Sequence, residues 1–374
     1  MLSKEEFIET QAAFQFGKCE APSGLDLESV ARREAIERPS LAMHNVWDGT
    51  FVPADRGVGV VRNGERWTLD MGDAEVALPK RLRAGRKADV LSDLYEFDLQ
   101  APVLLDMNDA ARWPNEFPTF QYNRLGGASN AILWPLRRVH EIGSSDFISA
   151  PNPAEPAFAQ KESRLFWRGS LRGFSRHGRI ARSITGLLRN YVAGQLSSET
   201  IRSHLATVSR YIFVSRYFDT EGFDIGFSPQ RNKDFLRDVP EIQRFEKERV
   251  TPSEQLACRY LVAISGTDVA SSFGWQVSTN SVILRETYPW EVFFDGHFRP
   301  WEHYIPIKPD FSDVTEKIAW CESHLEECQR MIELRHELIP LLLDESIRRE
   351  ALRRVVARYS DFYRDGNFLP QPRG

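Results

Sequence analysis

The sequence predicts an α/β fold built on parallel strands, and three observations support this class. The run RYLVAISG from Arg259 to Gly266 is almost continuously apolar, which is typical of a parallel strand buried on both faces of a sheet. The run VLLDMND, ending at Asp109, changes abruptly from apolar to acidic and amide residues, as strands do at a ligand-facing edge. From Leu165 onward the pattern changes from strand to loop to helix, which is the repeating unit of such folds.

Length and composition set the general class of the protein. A chain of 374 residues with 42% hydrophobic and 27% charged residues can bury a large core and is long enough for about two or three domains. The four cysteines form neither a CxxC pair nor a cluster with histidines. This spacing argues against both a zinc site and a disulfide framework.

Charge and hydropathy bear on location and partners. The first residues lack the basic start and the apolar run of a secretory signal, and no later stretch approaches about 18 uninterrupted apolar residues. The sequence therefore predicts a cytoplasmic protein. With a formal net charge of -5 and a pI near 6.0, the molecule as a whole does not attract nucleic acid, and we expect no nucleic-acid partner.

The N-terminal part is predicted to form a first domain, residues 1–155. Between Gly57 and Ala77 apolar and polar residues alternate around Asn63-Gly64, a strong short-range signal for a β-hairpin. The segment from Ser145 to Gln160 contains three prolines and small-residue clusters, which suit a connection between domains. We therefore predict a second domain over residues 160–340.

The later part of the chain predicts one more strand and two helices. SVIL, from Ser281 to Leu284, is strand-like, and a helix is expected from Ser312 until Pro340 interrupts it. An amphipathic, strongly charged helix then covers residues 341–365. Its arginines have three interpretations, namely contact with anionic lipid of the inner membrane, ordinary solvated surface, or packing on the first domain, and we favour the last.

The most basic segment, from Ser163 to Ser198, contains seven arginines and no aspartate or glutamate. It starts with the strand-like LFW, continues as the glycine-containing loop RGSLRG, and is predicted to enter a helix with Ile180, Ile184 and Leu187 on one face. A loop between a strand and a helix N-terminus can hold phosphate with its backbone N–H groups, and arginine adds charge and bidentate hydrogen bonds. The segment therefore predicts a phosphate site.

Five residues on or beside this loop are the candidate contacts. They are Arg168, Gly169, Ser170, Arg172 and Arg176. For any single arginine a solvated surface or an ion pair is the more common role, but for the whole acid-free segment we favour phosphate binding. The RGS sequence is neither a Walker loop nor a GxGxxG fingerprint, so it supports neither an NTPase nor a dehydrogenase.

Three segments of the chain carry a resemblance to a known family: LFWRGSLRGFSR, YLVAISGTDVASSFGWQVSTNSVIL and WEVFFDGHFRPWEHYIPIKPDFSDVTEKIAW. In this order they resemble the glycosyltransferase family 90 domain, which protein O-glucosyltransferases, fungal capsule-associated xylosyltransferases and bacterial lipopolysaccharide core transferases share. The resemblance spans roughly residues 103–320, and SGTDVASS with STNSV is similar to the bacterial branch. It implies two Rossmann-like domains facing a cleft, the GT-B arrangement, with the donor held mostly by the second domain and the acceptor by the first.

The resemblance also implies donor contacts in the RGS loop. Ser170 and Arg176 match the serine and the arginine that contact the donor pyrophosphate in the family. The animal enzymes have another phosphate-binding arginine in the turn after the second strand, where this chain has TDVASSFG without one. The candidates in this turn are Gly266, Asp268, Ser271 and Ser272. Hydrogen bonds from its polar side chains, or the charge of Arg172 or Arg285, would replace the missing contact.

The same resemblance implies an inverting reaction with an aspartate as general base. Aligning VLLDMND places this base at Asp109, with Asp106 as the alternative. The chemistry requires such a group, because an alcohol attacks the anomeric carbon while a nucleoside diphosphate leaves. Without the resemblance, a helix cap or a turn would be the better interpretation of Asp109.

His303 and Tyr304 in PWEHYIPI are lower-ranked donor-side candidates. A histidine in an aromatic, proline-flanked tract is usually a packed residue, and we favour that interpretation. No DxD motif lies beside a glycine loop, since Asp106 and Asp109 belong to the acceptor side. We therefore expect metal-independent transfer without a cofactor, with arginines and backbone dipoles in place of a cation.

Together these features predict an inverting glycosyltransferase that uses a nucleotide sugar, taken to be a UDP-sugar. The expected acceptor is a hydroxyl of an envelope saccharide or glycolipid such as lipopolysaccharide core. A peripheral contact with the inner membrane belongs to one interpretation of the C-terminal helix. The alternatives are a non-catalytic saccharide- or polyanion-binding protein and a protein O-glycosyltransferase.

Overall fold

A computed structural model describes residues 2–36, 38, 40–47, 51–52, 59–64, 66–70, 78–109, 114–178, 181–229, 236, 238–366 and 368. The chain forms two compact units. The first comprises Met1–Glu141, Pro289–His297 and Asp344–Gly374, and the second comprises Ile142–Tyr288 and Phe298–Leu343. Both units are therefore discontinuous in sequence.

Helices and strands alternate along most of the chain. The helices are α1 (Lys4–Phe16), α2 (Leu27–Glu34), α3 (Leu78–Glu96), α4 (Ile184–Val192), α5 (Ser198–Leu205), α6 (Ser209–Tyr217), α7 (Pro240–Gln243), α8 (Pro252–Leu256), α9 (Ser272–Gln276), α10 (Val314–Ser323), α11 (Leu325–Leu343) and α12 (Glu345–Asp365). The strands are β1 (Leu41–His44), β2 (Phe51–Val52), β3 (Gly59–Asn63), β4 (Arg66–Asp70), β5 (Val103–Asp106), β6 (Thr119–Gln121), β7 (Arg124–Leu125), β8 (Ala131–Leu133), β9 (Glu162–Gly169), β10 (Phe174–Ser175), β11 (Arg182–Ser183), β12 (Phe223–Phe227), β13 (Cys258–Ala263), β14 (Val282–Glu286), β15 (Trp290–Glu291) and β16 (Ile305–Ile307). Among the described residues, no helix is long and apolar enough to cross a bilayer.

The first unit contains a mixed sheet in the order β2-β1-β5-β6-β8. Strands β5, β6 and β8 are parallel, whereas β1 runs antiparallel to both β5 and β2. This mixed sheet therefore differs from the parallel sheet of a Rossmann-like domain, the kind of domain that the resemblance implies for this part of the chain. The predicted hairpin is confirmed, since β3 pairs with β4 and Gly64 adopts a φ of 62° in the turn. The ends of the predicted hairpin, 57–58 and 71–77, lie outside the described residues.

Helix α12 belongs to the first unit and packs on α1. The Tyr359 hydroxyl is buried and donates to the carbonyl of Pro102 at 2.7 Å. Arginines along α12 pair with acids of the same unit: Arg349 with Glu96, Arg353 with Glu350, Arg354 with Glu5, and Arg358 with Glu9. These four arginines therefore have protein partners, and their charge needs no lipid to balance it.

Two of the predicted helix boundaries are wrong. Pro340 does not interrupt its helix, because α11 continues through it to Leu343. The break comes at Asp344, whose carboxylate caps the first turn of α12, so the terminal helix begins later than predicted. The helix expected from Ser312 is also divided, since α10 ends before His324 and α11 begins after it.

The second unit contains a fully parallel sheet in the order β12-β9-β13-β14-β16. From β9 the chain adds β12 on one side and then returns to add β13, β14 and β16 on the other. This is the order of a doubly wound sheet, in which the strand order reverses between β9 and β13. The predicted strands RYLVAISG and SVIL are confirmed as β13 and β14.

The helix expected directly after RGSLRG begins later than predicted. Instead, β10 and β11 pair antiparallel as a short ribbon, and α4 starts at Ile184. The Ser175 hydroxyl anchors the ribbon through hydrogen bonds with His204 Nδ1 at 2.8 Å and Thr207 Oγ1 at 3.0 Å. The helical pattern placed Ile180 in this helix, but that residue lies outside the described ones. Arg176 therefore lies in the ribbon rather than in a first helical turn.

A buried arginine holds the amino-terminal side of the same sheet. Arg335 of α11 has no exposed surface. It donates to four carbonyls: those of Val277 at 3.3 Å, His303 at 2.9 Å, Thr279 at 3.1 Å and Ser281 at 2.6 Å. These bonds tie the segments that precede β14 and β16 to α11.

Candidate functional site

The predicted site residues form two groups, one in each unit. In the first unit Asp106 ends β5 and Asp109 follows it. In the second unit the RGS loop follows β9 and the TDVASS turn follows β13. Both groups lie at the carboxyl edge of parallel strands, where α/β sheets bind their ligands. His303 and Tyr304 precede β16 and do not share this edge position.

Asp109 is an accessible carboxylate held by two neighbours. Its side chain is 55% exposed, and Arg86 Nη1 donates to its Oδ1 at 2.7 Å. Tyr122 directly follows β6, and its hydroxyl donates to the same oxygen. Arg86 also donates to the carbonyl of Met107 at 3.1 Å, and its guanidinium lies 4.8 Å from the centre of the Tyr122 ring. The carboxylate is therefore fixed in orientation while solvent still reaches it.

These neighbours also set the charge of Asp109. Partial burial raises its pKa, but the hydrogen bonds from Tyr122 and Arg86 and the charges of Arg86 and Arg83 together outweigh burial and place the pKa below its ordinary value. The carboxylate is thus ionised at neutral pH and available to accept a proton.

Asp106 has a different environment. Its side chain is 1% exposed and accepts hydrogen bonds from Arg38 Nη2 at 2.9 Å, from Ser40 Oγ at 2.5 Å and from the backbone N–H of Asn108 at 3.2 Å. An enclosed carboxylate with its oxygens already bonded is poorly placed to take a proton from an incoming alcohol. These contacts argue for a structural role of Asp106 and favour Asp109 as the base.

Arg168 is turned away from the loop that it precedes. Its side chain is 8% exposed and pairs with Asp224 of β12, through Nη2 to Oδ1 at 2.6 Å and through Nη1 to the carbonyl at 2.9 Å. Lys247 donates to the same carboxylate oxygen at 2.9 Å. Arg168 therefore ties neighbouring strands together, and the structure gives no support to a phosphate contact from it.

The other residues of the RGS loop lie at the carboxyl edge of β9. Gly169 packs so closely on Trp167 that a Cβ there would lie 2.7 Å from its ring. Ser170 is half-buried, and Arg172 and Arg176 are exposed.

Arg176 is supported by an aromatic side chain of the same unit. Its Nη2 donates to the Tyr288 hydroxyl at 3.1 Å, and its guanidinium lies 5.5 Å from the centre of that ring. Its backbone N–H donates to Thr207 Oγ1 at 3.0 Å. An exposed guanidinium with a fixed backbone and a stacked ring is suited to capture of an anionic ligand group.

The turn after β13 comes close to the RGS loop. A Cβ on Gly173, whose φ is 125°, would lie 2.9 Å from the carbonyl oxygen of Gly266, so the two loops approach each other only because this residue is glycine. Asp268 and Ser272 are half-buried and Ser271 is exposed in this turn. The structure thus places the predicted residues of both loops side by side.

The remaining candidates pack against rings or backbone. The guanidinium of Arg285 lies 4.0 Å from the centre of the Phe273 ring and 5.4 Å from that of Tyr304. His303 is 3% exposed, its Nδ1 accepts from the N–H of Arg299 at 3.0 Å, and burial lowers its pKa. His303 is thus the packed residue that we favoured from the sequence.

Two residues at the carboxyl edge of the second unit's sheet, Arg210 and Glu286, were not predicted from the sequence. Arg210 of α6 donates to the carbonyls of Ser170, Ser265 and Ile264, and Glu286 at the end of β14 accepts from the N–H and hydroxyl of Ser265. Neither has a local signal, because SRYIFVSRY reads as an ordinary helix and Glu286 as the polar end of a strand. Arg86 and Tyr122 in the first unit were missed for the same reason.

The second unit is a doubly wound α/β unit, a class that binds ligands outside the carboxyl ends of its strands. Residues 189–360 match the model of glycosyl transferase family 90. This part of the chain is therefore similar to the family, and the match confirms the resemblance drawn from the sequence over these residues.

Short segments of the chain are similar to segments of several other proteins. One of 89 residues is 34% identical to uncharacterized protein 179R of Invertebrate iridescent virus 6, covering 22% of this chain and 8% of that protein. One of 73 residues is 34% identical to protein O-glucosyltransferase 3 of Rattus norvegicus, covering 20% and 14%. One of 89 residues is 28% identical to O-glucosyltransferase LpsA of Dichelobacter nodosus, covering 24% and 28%. Each match thus spans less than a third of the relative's own length.

A crystal structure of a glycosyltransferase from Rickettsia africae ESF-5 overlaps with 42% of this chain and 44% of that chain. The TM-score is 0.26 and the sequence identity is 10%, so this overlap carries no argument about fold or function.

The family match and the candidate site overlap only in part. The match begins at residue 189, after Asp109 and after the RGS loop with Ser170 and Arg176, whereas the resemblance seen in the sequence starts near 103. The turn after β13 lies within the match. The roles of Asp109, Ser170 and Arg176 therefore rest on the local geometry and remain predictions.

Replacing Gly173 by alanine tests the close approach of the two loops. We expect Gly173→Ala to lower the free energy of unfolding by about 1–3 kcal/mol, because the φ of 125° is strained for any other residue and the new Cβ meets the Gly266 carbonyl. Urea unfolding followed by circular dichroism measures the change.

Gly186→Ala is the matched control. Gly186 lies in α4 with nothing within 4 Å of the added Cβ, so helix propensity should raise stability by up to about 1 kcal/mol. Equal stability of Gly173→Ala and the wild-type protein would contradict the description of the two loops.

Proposed function

We propose that this protein is an inverting glycosyltransferase of the bacterial cytoplasm that transfers a sugar from a UDP-sugar to a hydroxyl of a saccharide acceptor. The observation that carries the proposal is the joint position of the RGS loop and the turn after β13, at the strand-order reversal of a unit that largely falls within the family match. Two relatives are named as O-glucosyltransferases, which supports glucose as the first sugar to test.

The names of the same relatives support two candidate classes of acceptor. The bacterial relative LpsA supports an envelope saccharide such as lipopolysaccharide core as the acceptor. The rat relative is named as a protein O-glucosyltransferase, which supports a protein hydroxyl as the second candidate acceptor. Both acceptors present an alcohol, so the chemistry at the reacting atoms is the same.

On the donor side, the second unit would hold the diphosphate. Arg176 offers an exposed guanidinium supported by Tyr288, and Ser170 offers a hydroxyl at the end of β9. As the anomeric carbon–oxygen bond breaks, its electron pair passes to the diphosphate, and positive groups stabilise the charge that develops there. We propose that Arg176 and the backbone N–H groups of the loop perform this role without a metal ion.

On the acceptor side, Asp109 would act as the general base. The acceptor oxygen forms the new bond to the anomeric carbon while its proton passes to a carboxylate oxygen of Asp109. The hydrogen bonds from Tyr122 and Arg86 keep this carboxylate ionised and oriented. Attack opposite the leaving group inverts the configuration of the anomeric carbon.

A nucleotide screen tests the donor. We expect UDP and UDP-glucose to raise the melting temperature of the protein, since a ligand at about 100 times its Kd adds about 2.7 kcal/mol of stability. ADP, GDP and CDP at equal concentration should have much smaller effects. A protein that no nucleotide stabilises, or that responds equally to all four, would not be the UDP-sugar enzyme proposed here.

Replacement of the base separates catalysis from binding. We expect Asp109→Asn to lower kcat for transfer by about 10²–10⁴, the usual contribution of a general base, while the Kd for UDP changes little. The matched control is Asp361→Asn, because Asp361 is an exposed aspartate on α12 paired with Arg364. Unchanged transfer in Asp109→Asn would favour the non-catalytic saccharide-binding alternative.

The Tyr122 hydrogen bond makes a prediction about pH. The bond lowers the pKa of Asp109, so Tyr122→Phe should raise that pKa. Because the base must be ionised, activity is lost as pH falls through its pKa, and the acid limb of kcat/KM against pH should move to higher pH in the variant. An acid limb at the wild-type position would show that Tyr122 does not set the charge of the base.

A further inference from the structure

Arg210 lies where the strand order of the second unit reverses. Its Nη1 donates to the carbonyl of Ser170, after β9, at 2.8 Å. Its Nε and Nη2 donate to the carbonyls of Ser265 and Ile264, after β13, at 3.1 Å and 3.2 Å. One guanidinium thus joins the two loops that border the crevice of a doubly wound sheet.

Three hydrogen bonds to backbone carbonyls hold the guanidinium of Arg210 in place. Carbonyl oxygens are neutral acceptors, and no carboxylate of the described part of the chain forms an ion pair with this guanidinium. Burial and the nearby charge of Arg172 lower the pKa of Arg210 to about 10, whereas the charges of Glu286 and Asp268 act in the opposite direction, so Arg210 remains a cation at neutral pH. These two carboxylates compensate part of the charge from a distance, since no salt bridge of the described residues includes Arg210.

A buried acid completes the arrangement from the other side. Glu286 is 4% exposed and accepts hydrogen bonds from the backbone N–H and the hydroxyl of Ser265 through Oε2. The carbonyl of Ser265 in turn accepts a hydrogen bond from Arg210. One chain of contacts thus crosses both loops, from Glu286 through Ser265 and Arg210 to Ser170. These contacts therefore link the position of one loop to that of the other.

Glycine allows this approach. A Cβ on Gly266 would lie 3.1 Å from Nη2 of Arg210, closer than ordinary contact. The backbone of the second loop thus rests directly on the guanidinium, and the positive charge lies immediately behind the backbone that faces the ligand edge.

We infer that Arg210 is a positioning residue of the donor site, which holds the two loops at a fixed spacing and supplies a positive charge behind them for the diphosphate of the donor. The inference rests on the proposed function and adds to it a group that is remote in sequence from both loops. It assigns Arg210 no contact with the ligand.

The test compares the affinities of UDP and uridine, measured by calorimetry and by NMR titration, in the wild-type protein and three variants. Arg210→Met removes the charge, and we expect it to weaken UDP binding by about 10- to 100-fold while uridine, which has no phosphate, changes by less than about 3-fold. Arg210→Lys keeps a charge with fewer hydrogen bonds and should retain most of the UDP preference.

Arg335→Met is the matched control, because Arg335 is also buried and bonded to carbonyls, but on the amino-terminal side of the sheet. It should lower the melting temperature and leave the ratio of UDP to uridine affinity unchanged. If Arg210→Met does not fold, Arg210→Lys carries the test, and a loss of its UDP preference overturns the inference.

The outcomes distinguish the two levels of the proposal. A wild-type protein that does not bind UDP overturns the proposed function and the role of Arg210 with it. Wild-type binding of UDP, with the same UDP to uridine ratio in Arg210→Met, overturns only the inference. A 10-fold or larger fall in this ratio, absent from Arg335→Met, supports it.

Discussion

The parallel pairing of β9 with β13 determines where the second unit can bind a ligand. The register, with Leu165 opposite Tyr260 and Phe166 opposite Leu261, brings the ends of the two strands to the same edge. The loops that leave them therefore start side by side, and the glycines in those loops let the backbones approach. The two groups of candidate donor contacts, one in each loop, meet because of this pairing, since the loops are far apart in sequence.

In the first unit, two aspartates three residues apart have opposite environments. Asp106 ends a fully buried strand, and its carboxylate balances the buried charge of Arg38. Asp109 lies beyond the strand end, where the chain has left the core and solvent reaches the side chain. Three residues at the end of a strand thus separate a buried aspartate, which is bonded within the fold, from one whose carboxylate solvent can reach.

The sequence predicts the parts of the fold that local patterns encode. The continuous apolar run of β13 and the Asn63-Gly64 hairpin are of this kind, because burial on both faces and a turn that needs positive φ leave a direct mark on composition. The polar ends of β5 and β9 likewise indicated the edges where site residues lie.

Features set by tertiary packing were not predictable in this way. The arginine-rich ribbon after β9 looked helical, but Ser175 is held by side chains about 30 residues away in sequence. Pro340 looked like a helix end, yet burial of Leu338, Ile339 and Leu342, at about 1.5–3 kcal/mol each, exceeds the ~3 kcal/mol that an interior proline costs. Arg210 meets its loops only after α6 has packed, so no pattern around it indicates the contact.

The discontinuity of the units has a consequence for how the chain is made. Helix α12 supplies Tyr359 and Tyr363 to the core of the first unit, but it is synthesised after the whole of the second unit. The second unit is already complete at Leu343, so it can fold while the N-terminal segments still lack their final partner. Of the two units, the one whose synthesis starts first is thus completed last, and its apolar surfaces stay uncovered while the second unit is made.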